Sequence, residues 1–143
     1  MKRRTLRGQI TEGTNKRLIL DDGRLNHGYK VISFVVAANP TLSTADVYGT
    51  LSLDVDSAKI WDWGDNRQIG WASTNAVTTG GLNAPFSVVD PDHIVLQDLF
   101  LQAQYSTVGG TDKINYLIEL EPVTLNDDET IITLIKERSQ DDL

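Results

Sequence analysis

Hydrophobic and polar residues alternate with a period of two over much of this chain. Residues 47–55 place apolar or small side chains at every second position, and residues 114–121 repeat the pattern. Such alternation is typical of a half-buried β-strand, because successive side chains point to opposite faces of a sheet. Leu117 is the exception, since it places an apolar side chain on the polar face of its strand, which indicates a contact there.

Eight segments of this kind are rich in β-branched and aromatic residues and are separated by turn-forming Gly, Asp, Asn and Pro. Eight short strands joined by turns predict an all-β domain, and a jelly roll has eight strands in two sheets. The expected fold is therefore a jelly-roll-like antiparallel β-sandwich with an N-terminal arm and a short C-terminal α-helix. The predicted strands are residues 5–11, 17–21, 29–38, 47–55, 68–73, 84–89, 94–103 and 114–121.

The one predicted helix covers Asp127–Ser139. Asn126 is a suitable N-cap with Glu129 three residues later, and the acidic first turn suits the positive end of the helix dipole. An apolar stripe is expected to dock this helix on the sandwich. The residues of that stripe are Ile131, Ile132, Leu134 and Ile135.

A length of 143 residues fits a single domain. We divide it into a basic arm with the first strand (1–17), a β-sandwich (18–124), and the helix with an acidic tail (125–143). The absence of cysteine excludes disulfides, thiolate metal sites and cysteine nucleophiles. No apolar run approaches the ~20 residues that span a bilayer, and none follows the basic N-terminus as in a signal peptide. The chain is expected to be made in the cytoplasm and used without processing.

Charge is distributed unevenly along the chain. Residues 1–30 hold eight basic and three acidic residues, a net charge of +5, whereas residues 31–143 hold five basic and seventeen acidic residues, a net charge of -12. The overall charge of -7 and the pI of about 4.6 argue against nucleic acid as the partner of the whole domain. We expect the arm instead to contact an acidic surface of a neighbouring copy. The residues expected in this contact are Lys2, Arg3, Arg4 and Arg7 in the arm and Glu119 and Glu121 opposite, with Asp127–Glu129 as a second acidic candidate.

Residues that could carry chemistry do not form a recognised pattern. His27 lies in a turn, and His93 with Asp90 and Asp92 is a weak match to a metal site, so turn roles are preferred for both histidines. The acidic residues of the stretch 54–65 miss the EF-hand spacing and are interpreted as a solvated face. Nucleophile-elbow, Walker and dinucleotide motifs are absent from the sequence. We therefore predict no enzyme activity, no cofactor and no metal.

All three tryptophans, Trp61, Trp63 and Trp71, lie within eleven residues. Tryptophan anchors cores and interface hot spots, and structural or interface packing is the preferred interpretation. The alternative is a platform on which sugar rings stack, which would make the chain a carbohydrate-binding module. The polar residues beside this platform would be Asp62, Asp65, Asn66 and Gln68. Both interpretations stay open at this point.

The chain resembles the small structural proteins of tailed bacteriophages, in particular capsid decoration (cement) proteins. The resemblance lies in Arg3-Arg4-Thr5-Leu6-Arg7-Gly8, in residues 61–69 and in residues 132–139, together with the all-β pattern and the basic arm. It implies a non-enzymatic role in the virion, binding to a capsid shell, self-association (often as trimers) and no cofactor. The resemblance does not identify the residues that contact the shell; the arm residues and the three tryptophans are interface candidates because of their charge and their aromatic clustering.

Overall fold

A computed structural model describes residues 3–20, 26–38, 46–55, 61–74, 86–90, 92–106 and 113–139. Within these ranges the chain forms antiparallel strands in two sheets and one C-terminal helix, which confirms the predicted all-β architecture. The helix α1 spans Asp127–Ser139, as predicted. The strands are β1 (Arg4–Thr11), β2 (Asn15–Ile19), β3 (His27–Ala38), β4 (Val47–Ser52), β5 (Gln68–Thr74), β6 (Phe86–Val89), β7 (Ile94–Val95), β8 (Asp98–Tyr105) and β9 (Lys113–Thr124).

The strands pair in a nested order. Sheet A has the order β1-β9-β3-β7, and sheet B has the order β2-β8-β4-β5-β6. The first described strand therefore pairs with the last, β2 with β8, β3 with β7, and β4 with β5, all antiparallel. The remaining strand, β6, pairs with the free side of β5. The chain therefore forms a two-stranded antiparallel ribbon, in which β1 to β4 pair in turn with β9, β8, β7 and β5.

The core lies between the two sheets and takes every second residue of the central strands. The sheets approach closely at Gly49, where a Cβ atom would lie only 2.7 Å from Val36 Cγ1 and 2.8 Å from Phe34 Cζ. A side chain at this position would overpack the core, which explains a glycine in the middle of a strand. Large core side chains with almost no exposed surface include Phe34, Leu51, Ile69, Leu99, Leu101, Ile114, Ile118 and Leu120.

The predicted strand 94–103 is divided between the two sheets. Its first residues form β7 in sheet A, and β8 begins at Asp98 in sheet B. Between them the carbonyl of Gln97 accepts a hydrogen bond from the Leu20 amide at 2.9 Å. Val95, Leu96 and Leu99 are buried around this crossing, whereas Gln97 is exposed, so the crossing coincides with the polar pair Gln97-Asp98 in the sequence.

The N-terminal segment is a strand of the sandwich. All eight residues of β1 pair with β9 of the same chain, from Arg4 opposite Leu120 to Thr11 opposite Lys113. The turn to β2 contains Gly13 at φ 75°, a left-handed conformation that glycine adopts without strain. The next strand, β2, crosses the expected boundary between residues 17 and 18.

The helix is attached to the sandwich by polar contacts rather than by its isoleucines. The Asn126 cap is confirmed, since its Oδ1 accepts the Glu129 amide at 2.7 Å. Asn26, at φ 65°, accepts a hydrogen bond from the Thr130 hydroxyl and donates one to Asp127, each at 2.7 Å. The expected docking stripe was wrong, because the buried positions here are Leu125 and Thr130, whereas three isoleucines are more than half exposed. These are Ile131, Ile132 and Ile135.

Candidate functional site

The outer face of sheet B carries a cluster of aromatic side chains, which we term the aromatic face. Its members come from three adjacent strands and from the connection between β4 and β5 that folds over them. They are Tyr48 of β4, Trp71 of β5, Phe86 of β6, and Trp61 and Trp63 of the connection. The three tryptophans singled out by the sequence are thus brought together on one surface.

A buried amide joins the connection to the sheet. The Oε1 atom of Gln68 accepts a hydrogen bond from Trp71 Nε1 at 2.9 Å and another from the Asp62 backbone at 2.8 Å. Trp71 is only 8% exposed. Trp71 is therefore a structural residue of this face, with its indole N–H paired as expected for a buried tryptophan.

The other two tryptophans lie over the sheet in different ways. Trp61 is half-buried and stacks on Phe86, with ring centroids 5.8 Å apart and an interplanar angle of 24°. Trp63 meets Trp71 edge-on at 5.9 Å and is 66% exposed. Of the three indoles, Trp63 therefore offers the accessible ring surface.

A bidentate ion pair fixes the end of the connection. Arg67 donates from Nε to Asp65 Oδ1 at 3.0 Å and from Nη2 to Oδ2 at 2.9 Å, and its backbone amide also donates to Oδ1. These side-chain hydrogen bonds hold the pKa of Asp65 below its ordinary value of 3.8, although partial burial acts in the opposite direction. The pair stabilises the turn that carries Trp63.

Two polar groups beneath the aromatic face lack hydrogen-bond partners. Gln102 of β8 lies opposite Thr50 and is 4% exposed, yet neither its Nε2 nor its Oε1 has a partner among the described residues. The same holds for the buried Nε1 of Trp61. Burying such groups without a hydrogen bond costs stability, so both side chains are expected to lower the stability of this face.

The outer face of sheet A around β1 and β9 is different, and we term it the β1 face. It holds Arg7 on β1, Arg3 just before the start of β1, and Leu117 and Glu119 on β9. Arg3 Nη1 lies 3.6 Å from Glu119 Oε2 of the same chain, and the two side chains form an exposed ion pair. Arg7 is exposed directly opposite Leu117, which is itself 37% exposed. In the described part of the chain Arg7 has no charged or hydrogen-bonding partner.

The other predicted interface residues lie apart from these. Arg4 points toward the edge of the core, with its guanidinium carbon 5.6 Å from the centre of the Tyr29 ring. Glu121 lies opposite Lys30 on β3, beside a shallow groove of about 280 Å³. Lys2 lies outside the described residues.

No family model, characterised protein or solved structure matches this chain. Within the ranges described above, no group of three His, Asp or Glu residues is placed to hold a metal ion. The same ranges contain no helix long and apolar enough to cross a membrane.

Sequence reasoning missed three residues that complete the aromatic face. Tyr48, Phe86 and Gln102 were treated only as residues of predicted strands, whereas Gln68 was named beside the tryptophans as a polar group for a sugar. Because alternate residues of a strand point to opposite faces of the sheet, Tyr48 and Gln102 could be placed on the same outer face once the β4–β8 register was known. That register depends on contacts between distant segments, which the local pattern does not contain.

Proposed function

We propose that this chain is a non-enzymatic structural protein of a viral particle, of the capsid decoration (cement) type. On this proposal it binds a capsid shell in the virion and self-associates, with a trimer as the favoured order. The observation that carries the proposal is the nested strand pairing, which supports a jelly roll, a fold used by viral capsid domains.

The support for a jelly roll comes from the order of the ribbon. With β6 set aside, eight strands remain, and the first pairs with the last, the second with the second-last, and so on to the central pair β4 and β5. A two-stranded ribbon of four such pairs, wrapped into two sheets, is the arrangement expected of that fold. The extra strand β6 widens sheet B and contributes Phe86 to the aromatic face.

The exposed apolar residues support self-association. Trp63, Phe86 and Val88 lie on the outer side of sheet B, and three isoleucines lie along α1. Exposed aromatic residues beside polar ones are typical of protein interfaces.

The first test is the mass of the purified chain by light scattering over a wide range of concentrations. We expect oligomers whose population grows with concentration and a trimer as the smallest closed form. A mass that stays at the monomer value of 15.8 kDa under all conditions would contradict the proposal.

A second candidate function is carbohydrate binding, because Trp63 presents an open indole beside the exposed carboxylate of Asp62. Jelly rolls also occur among lectins. Of the three tryptophans proposed to stack on sugar rings, Trp63 remains, since Trp71 is buried and one face of the Trp61 ring is covered by Phe86. Trp63→Ala should abolish binding on a glycan array, with Ile131→Ala as a control for loss of an exposed apolar side chain elsewhere. A wild-type chain that binds no glycan eliminates this candidate.

A further inference from the structure

The β1 face presents a free cation beside an exposed apolar side chain. Arg7 and Leu117 are directly opposite residues of an antiparallel pair, so their Cβ atoms lie within ~5.5 Å of each other. Arg7 has no partner among the described residues, whereas its neighbour Arg3 is occupied by Glu119. The group available to a second molecule on this face is therefore the Arg7 guanidinium.

The aromatic face presents the complementary arrangement, an exposed apolar ring beside a free anion. Trp63 is 66% exposed, and the exposed Asp62 precedes it directly in the chain. Asp62 Oδ1 accepts the Gly64 amide at 3.0 Å, and Asp62 forms no ion pair with any cation in the ranges that the structure describes. Asp65, the next carboxylate, is neutralised by Arg67.

We propose that the β1 face of one copy docks on the aromatic face of the next, with Arg7 against Asp62 and Leu117 against Trp63. This inference rests on the proposed function, which requires self-association, and names the surfaces that carry it. A second copy is the favoured occupant because the charges are complementary and each face places its free charge beside an exposed apolar group. Arginine and tryptophan are also the residues most enriched among interface hot spots, and a guanidinium can stack on an indole.

The location of Glu119 argues for this pairing over the one predicted from the sequence. Of the two acidic surfaces first expected to receive a neighbour's arm, the one with Glu119 and Glu121 lies on β9, which pairs with β1 of its own chain. Its carboxylate Glu119 is already 3.6 Å from Arg3 of that chain. Asp62 forms no ion pair among the described residues, so its carboxylate is more available than that of Glu119 to a cation of a neighbouring copy.

The two faces belong to opposite sheets, so the contact joins two different surfaces. Such heterologous contacts close into rings, of which the trimer is the smallest, or continue as open arrays. An isologous dimer cannot form through this contact alone. The copies would therefore be added one after another in the same orientation.

Charge reversal in the full-length chain tests the contact. Arg7→Glu and Asp62→Lys should each weaken association about tenfold or more, and Trp63→Ala about 30-fold, as expected for hot-spot residues. An equimolar mixture of the Arg7→Glu and Asp62→Lys chains should recover association, because each chain still offers an intact partner surface to the other. Asp128→Lys on α1, a matched charge reversal of an exposed carboxylate outside both faces, is the control and should not change the mass. Thermal unfolding of each variant verifies that it is folded.

The outcomes of these experiments distinguish failure of the proposed contact from failure of the proposed function. Loss in the single variants with recovery in the mixture supports the proposed contact. A wild-type chain that associates and is indifferent to both charge reversals overturns this inference and leaves the proposed function standing. A wild-type chain that remains monomeric overturns the proposed function and the inference with it. If Trp63→Ala alters only glycan binding and not the mass, the aromatic face is a glycan site and the inference is wrong.

Discussion

The two outer faces of the sandwich bury their residues to different degrees. On sheet B, a connection between strands folds back over the surface, so Trp71 and Gln68 are nearly as buried as the core. On the β1 face no described segment covers the strands, and Arg3 and Arg7 remain exposed. Residues of the aromatic face are therefore coupled to the stability of the fold, whereas those of the β1 face can change with little effect on it.

The largest expected effect is that of Trp71→Ala. Truncation of a buried tryptophan costs about 3–5 kcal/mol, because apolar contacts are lost and a cavity remains. The substitution Trp71→Ala also removes the ring that Trp63 contacts and the indole N–H that donates a hydrogen bond to Gln68 Oε1. Urea unfolding should show this loss, and Trp63→Ala should cost less than ~1 kcal/mol because its ring is mostly in water. Equal losses in the free energy of unfolding for the two variants would contradict the assignment of Trp71 as structural and Trp63 as exposed.

The two buried glutamines of sheet B should respond in opposite directions to replacement by leucine. Gln68→Leu removes an acceptor for two hydrogen bonds and should destabilise the chain by about 2 kcal/mol. Gln102→Leu removes an amide that has no partner and should stabilise it by about 1 kcal/mol. Both residues are 4% exposed, so they form a matched pair. A destabilised Gln102→Leu in urea unfolding would mean that the amide is satisfied in solution.

The ion pair in the connection should make the stability of the aromatic face depend on pH. The folded-state pKa of Asp65 lies below its ordinary 3.8, mainly because Arg67 donates to the carboxylate. Its stabilisation is therefore complete above about pH 4–5 and is lost as the pH falls through the folded pKa. Asp65→Asn should cost about 1–2 kcal/mol at neutral pH. Unfolding curves should show the difference from wild type shrinking below about pH 4, and a difference that grows in acid would contradict this assignment.

The smallest effect is expected for the ion pair of the β1 face. Arg3 and Glu119 are 3.6 Å apart with well-exposed side chains, and such pairs contribute at most a few tenths of a kcal/mol. Arg3→Ala should therefore leave the unfolding midpoint nearly unchanged. The residual difference should vanish in ~1 M salt, where the Debye length is ~3 Å. A loss above about 1 kcal/mol would show that the β1 face is coupled to the core after all.

Local patterns predicted the strands and the helix of this chain because most strands have one polar face. The strands β4 and β9 were visible for that reason, and the Asn126 cap located the start of α1. The division of β7 from β8 was not predicted, because the polar pair Gln97-Asp98 at the crossing carries no glycine or proline turn signal. The sequence pattern also failed at α1, whose isoleucines form a stripe that no described residue covers.

The composition of the candidate site was predicted in part. A cluster of three tryptophans in eleven residues indicated a special surface, and the structure places all three on one face. Which of them is accessible could not be predicted, because Trp71 is buried through a connection that ends in a tertiary contact with Gln68. The intrachain partner of the arm was also hidden, since pairing of β1 with β9 joins the two ends of the domain.

The nested pairing has a consequence for how the chain is made. The strand β1 leaves the ribosome first, and its partner β9 leaves it last among the described strands. At about 5–20 residues per second, β1 waits roughly 5–25 s before sheet A can close. A strand left unpaired for so long is open to aggregation, and positive charges along it repel other nascent copies. We therefore expect Arg4 and Arg7 to limit aggregation of the nascent chain, a role separate from their contacts in the folded protein.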